Sequence, residues 1–335
     1  MPRAHMKVVV TGATGNVGTA LLRRLAEEQD IEVHGVSRRK PGDAAPYRGV
    51  TWTPVEIGRP GAEEVLAEAF ANADAVVHLA WRIQPARDER STYRTNVAGS
   101  AQVFGAAVAA KVPHLVHMSS VGAYSPGVKD RAVDESWPVD GVRTSFYSRH
   151  KAAVEHMLNK FEGDLLISRP RPGLILQSDA GSEIREYFLG KLVPRALFRQ
   201  RIPLVPLPRD LVMQFVHADD VADGLVRILR QRPHGAVNLV ADPVVTPRVL
   251  AEVLGGRPIF IPAGLMRLLA NVTWRLRLQP TPPGWVDLAL KSPLLDASRA
   301  RTELGWSPEF DAQETLRALV RGIGEGKEVP ASPAL

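Results

Sequence analysis

No cysteine occurs anywhere in the chain, which excludes structural disulfides, a thiolate nucleophile, and zinc or iron–sulfur centres held by cysteine. A reducing, cytoplasmic setting is the matching expectation. Aromatic residues make up only 6% of the sequence. Long apolar runs are missing as well, since charge interrupts each one well before the roughly eighteen residues that a membrane helix needs. The nearest approach, Pro258–Leu278, contains Arg267, Arg275 and Arg277. It reads as an amphipathic helix with a basic side, packed in a smaller domain rather than lying on a membrane. Met1 to Met6 lack the apolar core of a signal peptide, so export is not expected. Histidines and carboxylates show no metal-ligand spacing, and no internal repeat is visible.

What is present is an ordinary globular composition: 335 residues, 45% hydrophobic and 23% charged. The length exceeds the roughly 250–300 residues at which single cores stop growing, so one large domain with a smaller appendage fits best. The net charge of +6 would suit nucleic acid, a membrane surface or an anionic small molecule. The basic residues look scattered, with no run beyond Arg38-Arg39-Lys40 and no nucleic-acid-binding signature. A small-molecule partner, anionic or neutral, is therefore expected, without nucleic acid or membrane.

Up to about Gly173 short β-branched runs alternate with helical patterns, as a parallel sheet with crossover helices requires. Strands are expected at Lys7–Thr11, Glu32–Ser37, Val50–Val55, Ala75–Leu79, His114–Ser119 and Leu165–Arg169, with helices at Val17–Glu28, Ala62–Phe70, Asp88–Ala110 and Ser145–Phe161. The strands are almost uniformly apolar, which predicts burial on both faces and a ligand at their carboxyl ends. Beyond Gly173 proline becomes frequent and helical pieces predominate: Glu183–Gln200, Ala218–Arg230, Thr246–Leu254, Ala297–Leu304 and Ala312–Ile323. The division is thus residues 1–173 as a dinucleotide-binding domain and 174–335 as mainly a substrate domain, with some pieces returning to the sheet and a loose tail from Gly324.

Gly12, Ala13, Thr14, Gly15, Asn16, Val17 and Gly18 follow the first strand and open a helix. Glycines at this spacing permit a tight turn, close approach of backbone to a pyrophosphate, and helix packing, while the helix N-terminus supplies amide donors. The second strand ends in Ser37, Arg38 and Arg39, where a carboxylate would suit an unphosphorylated ribose. Serine and arginine suit a 2′-phosphate, so NADP(H) is favoured over NAD(H). Glu56 and Ile57 end the third strand, where they would meet the adenine.

Tyr147 and Lys151 stand four residues apart on one side of a helix. An adjacent cation favours a phenolate and makes tyrosine a usable acid/base. Met118, Ser119 and Ser120 close the fifth strand, placing hydroxyls where a substrate carbonyl would lie, and Asn96 on the preceding long helix would distort that helix and hold a water. His78, His117 and His217 read as packing or hydrogen-bonding residues, Asp219-Asp220 as helix N-capping, and Trp81, Trp137, Tyr124 and Phe146 as either pocket walls or core.

With these pieces in order the chain resembles the extended short-chain dehydrogenase/reductase family, the NAD(P)-dependent epimerase/dehydratase group. The likeness runs from Thr11–Gly18 through His78-Leu-Ala80, Asn96–Gly99, Ser119-Ser120, Tyr147 with Lys151, and Arg169–Gly173 to Phe215–Asp220 and Ala300–Trp306. It implies a Rossmann-like, doubly wound parallel sheet of about seven strands, a smaller mainly helical C-terminal substrate domain, and frequent dimers through helices flanking the sheet. It also implies roles: Tyr147 as general acid/base, Lys151 lowering its pKa and holding the nicotinamide ribose, and Ser120 binding the carbonyl. Leu79, Ala80 and Trp81 would line the nicotinamide side with Ser119, and Pro172 and Gly173 would close over the ring.

Departures narrow the reading. Met213-Gln214 replaces a usual Arg-Asp, Trp81 replaces an alanine, and Val121 stands where dehydratases carry a carboxylate. They favour an NADP(H)-dependent oxidoreductase interconverting a carbonyl and an alcohol. The alternatives are a nucleotide-sugar or other sugar epimerase using transient oxidation, and a non-catalytic NADP(H)-sensing regulator, which the intact Ser/Tyr/Lys set argues against.

Overall fold

A computed structural model describes residues 5–84, 86–190 and 192–329. Seven parallel strands form one sheet in the order β3-β2-β1-β4-β5-β7-β11. They are β1 (Met6–Thr11), β2 (Ile31–Ser37), β3 (Thr51–Pro54), β4 (Ala75–His78), β5 (His114–His117), β7 (Leu166–Pro172) and β11 (Gly235–Leu239). The strand order reverses at β1, between β2 and β4, which opens a crevice at the carboxyl ends of the strands.

The pleat explains the layers. Val8 and Val10 face one core with α1 (Asn16–Leu25), α7 (Ala218–Gln231) and α11 (Ser298–Leu304). Val9 faces the other with α2 (Ala62–Ala69), α4 (Gly99–Ala109) and α5 (Phe146–Leu158). The expectation of strands buried on both faces fails at β3, the sheet edge, where Thr51 and Pro54 are exposed. An edge strand tolerates proline because one side of its backbone needs no ladder partner. Trp52 of that strand covers β2 so closely that a Cβ on Gly35 would lie 2.4 Å from its ring.

The long helix before β5 starts as α3 (Glu89–Tyr93), passes through a π-helical turn (Arg94–Ala98) and continues as α4. Such a turn inserts an extra residue and often marks a functional site. After β7 the chain leaves the sheet, makes β8 (Leu174–Leu176), and pairs it with β10 (Phe215–His217) before β11 returns to the sheet edge beside β7. The expected helix Glu183–Gln200 is broken. α6 (Gly181–Phe188) stops before Gly190, which has φ +81°, and Pro194 leads into a 3-10 turn over Arg195–Arg199.

Of two further parallel pairs, β9 (Leu204–Leu207) with β12 (Arg257–Phe260) knits the C-terminal half together, and β6 (Ala132–Val133) with β13 (Leu294–Leu295) ties it to the N-terminal half. It is completed by α8 (Pro247–Val253), α9 (Ala263–Arg275), α10 (Gly284–Lys291) and α12 (Ala312–Glu325). α12 therefore includes Gly324 and Glu325, which were expected to be loosely ordered, and residues 330–335 of that tail lie outside the described residues.

Candidate active site

The glycine loop is dictated by two clashes. Gly12 has φ +73°, and a Cβ there would lie 2.6 Å from the Ala80 backbone nitrogen, so the first turn and the end of β4 close only around glycine. A Cβ on Gly18 would lie 2.3 Å from the Gly12 carbonyl oxygen. Gly15 caps α1 with no side chain bonded to the helix amides, which leaves those donors facing the crevice. Ala13 is core, whereas Thr14, Asn16 and Val17 are half-buried at the rim. Gln177 crosses from the C-terminal half, donating to the Asn16 carbonyl at 3.1 Å, and Arg23 clamps Gln177 and Asp219.

At the end of β2 the Ser37 hydroxyl donates to the Arg39 carbonyl at 2.6 Å, and Arg38 and Arg39 are exposed. Arg82, just past β4, was not anticipated as a site residue. Its pKa is lowered by burial and then by the charge of Arg38, with Arg94 adding to the repulsion and Glu56 opposing it. The charges of Arg38 and Arg94 are thus felt at Arg82, whose guanidinium donates to the Ser91 hydroxyl at 2.9 Å. Glu56 is ion-paired with Arg59 at 3.3 Å. Ile57 is buried against α4, where a Cβ on Gly99 would lie 2.9 Å from it, so its side chain packs inward instead of covering an adenine.

Ser120, Tyr147 and Lys151 come together. Ser145 caps α5 and Gly122 lets the Tyr147 ring lie against the preceding loop, since a Cβ there would be 2.7 Å from the ring. Ser120 accepts the Gly122 amide at 3.0 Å, and its hydroxyl stands beside the Tyr147 ring at Gly122. Burial pushes the Tyr147 phenol up to about 12, with Ser120 acting in the opposite direction. Lys151 is buried, donates to the Met118 carbonyl at 2.8 Å, and sits 3.6 Å from the centre of the Trp81 ring. Burial lowers its pKa to about 7, opposed by Glu155 one turn on.

The sign of that shift gives a measurable consequence. The folded chain releases the Lys151 proton near pH 7 and the unfolded chain only near 10.5, so stability rises with pH across this window. Lys151→Met should remove about 2 kcal/mol of the rise between pH 7 and 9, read as a difference in urea melts. Identical slopes in both proteins would mean that the ammonium is solvated.

Several expected residues sit elsewhere. The Asn96 amide is committed at both ends to the Arg82 backbone, with its oxygen accepting at 2.7 Å and its nitrogen donating at 2.8 Å. Its carbonyl accepts from Ser100, so the residue shapes the Trp81–Arg82 turn. Ser119 points behind the sheet and donates to Glu155 at 2.6 Å, because that buried carboxylate gathers donors. Pro172 and Gly173 are buried at the end of β7, where a Cβ on Gly173 would meet the Gln214 carbonyl at 2.7 Å.

His78 bridges Thr11 and Ser100, and burial lowers its pKa to about 3. His217, not the aspartates, caps α7, and Asp220 instead accepts the Glu309 and Phe310 amides. Tyr124 is core, donating to Asn238, and the Trp137 indole donates to the Ser125 carbonyl. Phe146 joins the aromatic wall, 6.1 Å from Trp285. That wall centres on Trp285, which the sequence did not point to: its ring lies 5.0 Å from Tyr147 and 5.0 Å from Phe188. Gly284 places it there by approaching the Thr144 carbonyl so closely that a Cβ would lie 2.2 Å away. Leu79 and Ala80 are half-buried beside Gly12, and Trp81 completes the wall 6.0 Å from Tyr147.

A doubly wound sheet, a glycine loop with a free helix N-terminus and a Ser/Tyr/Lys constellation at the strand ends define a dinucleotide-dependent α/β enzyme. A family model for the NAD dependent epimerase/dehydratase family matches residues 8–240, and the chain belongs to that family. An uncharacterized protein of Mycobacterium tuberculosis is 28% identical over 334 residues, which are 98% of this chain and 32% of that protein. The chain therefore spans about a third of the length of the first curated relatives it matches. A 4-hydroxy-2-methyl-3-oxo-4-farnesyl-3,4-dihydroquinoline-1-oxide ketoreductase of Stigmatella aurantiaca is 26% identical over 333 residues, 94% of this chain and 96% of that one. Among solved structures, the dTDP-glucose 4,6-dehydratase DesIV of Streptomyces venezuelae, with NAD and TYD bound, superposes with a TM-score of 0.73 at 20% identity. That match covers 98% of this chain and all of the other and shares its fold.

Proposed function

We propose that the chain is an NADP(H)-dependent oxidoreductase that reduces a ketone of a small, largely apolar substrate to an alcohol. The observation that carries this reading is that Ser120 and Tyr147 adjoin one another at Gly122, at the mouth of an aromatic wall, with Lys151 one turn behind the phenol. NADP(H), when bound, exchanges a hydride with the carbonyl carbon. Ser120 and Tyr147 orient the carbonyl oxygen, and Tyr147 donates its proton to the developing alkoxide. Lys151 holds positive charge beneath the phenol and supports the phenolate left behind. Trp81, Trp285 and Phe188 exclude water. Residues 1–173 supply the dinucleotide side and residues 174–335 most of the substrate wall.

The residues fit a phosphorylated dinucleotide. The Gly12 turn leaves backbone room and the α1 amides are uncapped. Ser37 replaces a carboxylate, and Arg38 and Arg82 repel one another in a way that a 2′-phosphate would relieve. The ketoreductase relative supports the reductive direction and an apolar substrate.

NADPH oxidation measured against a panel of ketones tests the proposal. Turnover with NADPH should exceed that with NADH at least tenfold, and Arg38→Ala/Arg82→Ala should erase the preference, since charge-assisted bonds to phosphate contribute about 1.5–3 kcal/mol. Equal turnover with NADH would overturn the cofactor assignment. Substrate inversion without net cofactor consumption would overturn reduction in favour of epimerisation, and cofactor binding with no turnover on any ketone would favour a sensor.

A further inference from the structure

Residues 187–209 and 253–286 carry nine of the chain's 42 lysines and arginines and none of its 36 acidic residues. The remaining residues hold 33 basic and 36 acidic side chains, so the whole positive excess of the protein resides in these two segments. The fold joins them. β9 pairs with β12, Thr281 donates to the Phe188 carbonyl at 2.6 Å, and a Cβ on Gly190 would meet Pro280 at 2.9 Å. Among the described residues of this lobe, Arg267 is the only basic side chain in an ion pair. Arg195, Arg199, Arg201, Arg209, Arg257, Arg275 and Arg277 are all exposed.

The same lobe presents apolar surface outward. It contributes twelve of the seventeen large exposed hydrophobic residues found among the described ones. Their centre is α9, which has no buried residue. Leu265, Leu268, Leu269, Val272 and Leu276 recur at helical spacing and occupy about 100° of its circumference. All five are exposed, Leu268 at 55% and Leu276 at 65%. The opposite side of α9 is anchored: Arg267 meets the buried Asp287 at 3.0 Å, and Met266 packs over Val205 and Leu207. This helix therefore ties an arginine, itself half exposed, to the domain and turns its leucines outward, contrary to the sequence expectation of an apolar face packed in the domain. The physical reason is that Asp287 offers a buried carboxylate, whereas no element among the described residues lies over the stripe.

We infer that this lobe docks the protein on the surface of an anionic lipid bilayer, with the α9 leucines inserted at the headgroup–acyl boundary and the surrounding arginines on the lipid phosphates. Charge selects this occupant. A second copy would set two all-basic faces against each other, and nucleic acid offers nothing to a five-residue apolar stripe. An anionic interface satisfies both features, because binding there scales with buried apolar area plus attraction of lysine and arginine to acidic lipids. No described helix is long and apolar enough to cross a membrane, so the association is peripheral. The docked face also adjoins the proposed pocket: Arg87, in the loop after β4, lies 4.6 Å over the Trp274 ring of α9, and Trp285 follows ten residues after α9 ends at Arg275. The inference does not depend on the proposed reaction.

The test is co-sedimentation of the whole chain with vesicles of phosphatidylcholine alone or with about a third phosphatidylglycerol, at physiological salt. Binding to the anionic vesicles should be at least tenfold stronger than to the neutral ones. Arg275→Gln/Arg277→Gln should weaken it on the order of twentyfold, as expected for about 1 kcal/mol per basic residue. Leu268→Ser/Leu269→Ser, on an exposed face where folding is not at risk, should abolish insertion, while thermal unfolding and cofactor binding stay as in the parent chain. Equal affinity for both vesicle types, no vesicle binding at all, or a dimer or a DNA complex that these variants disrupt would each overturn the assignment.

Discussion

Tyr147→Phe should lower ketone reduction by 10²- to 10⁴-fold while leaving NADPH affinity and the melting curve nearly unchanged. General acid catalysis by a positioned side chain is worth roughly that factor, or about 3–5 kcal/mol of transition-state stabilisation. The substitution removes one hydroxyl whose neighbour, Ser120, sits at the crevice and remains bonded to the Gly122 amide. The structural cost is therefore about 0.5–1.5 kcal/mol at most. A loss confined to kcat, with KM and cofactor binding intact, is the signature of a proton donor. If turnover survives, the proton comes from elsewhere and the proposed mechanism is wrong.

The same phenol fixes the pH behaviour. Held near 12 by burial, it is protonated throughout the physiological range and ready to give a proton to an alkoxide. Alcohol oxidation requires the opposite form, so the oxidative rate should climb with pH above neutrality while the reductive rate does not. Lys151, with a pKa of about 7, adds a second influence: its charge is partly lost at the alkaline end, which removes support for the phenolate.

The dinucleotide half was legible because its signals are local. Gly12 and Gly18 announce themselves through backbone geometry, and the apolar runs of β1, β4 and β5 leave little choice but burial between two helix layers. Four residues on a helix fix Tyr147 beside Lys151 whatever surrounds them. Residue type did not reveal direction. Ser119 and Ser120 are neighbours in sequence, yet one faces the crevice and the other faces Glu155, because adjacent residues at a strand end point to opposite sides. Asn96 sits at the anticipated helix distortion, which is a π-helical turn, but its amide meets a backbone turn that only the folded chain creates.

Non-local contacts account for the rest. Trp285 reaches Tyr147 through a glycine contact between segments some 140 residues apart, and nothing in the sequence around it announces an active-site residue. In sequence Arg82 reads as part of a loop after Trp81, and its position near the end of β2 follows only once β1 separates β2 from β4 by a single strand. The helix expected over Glu183–Gln200 is broken for a reason visible in sequence: Gly190 and Pro194 both disfavour helix.

Glu155→Ala should be the most destabilising single change in the site, costing about 3–5 kcal/mol, a large part of a typical domain's 5–15 kcal/mol. The carboxylate is fully buried and accepts from Ser119, from Arg171 at 2.7 and 3.1 Å, and from Arg169 at 3.2 Å. Removing it leaves Arg169 leaning on Glu162, and leaves Arg171 with only the Tyr124 hydroxyl and the Glu135 carbonyl, both neutral. An uncompensated buried guanidinium is the source of the cost, so Glu155→Ala/Arg171→Met should recover part of it, and a double-mutant cycle in urea measures the coupling. Burial opposes the Glu155 charge, but the arginines outweigh it and hold its pKa below the ordinary 4.5. The stability from this group is present above the unfolded value and lost as pH falls through the depressed folded one, so the parent chain should lose stability on acidification more steeply than Glu155→Gln. Glu155→Gln carries a second readout, because Glu155 raises the pKa of Lys151 one turn away. The amide variant should move the alkaline limb of the kcat profile to lower pH. An unshifted profile in a folded Glu155→Gln protein would confine this carboxylate to holding β5, α5 and β7 together.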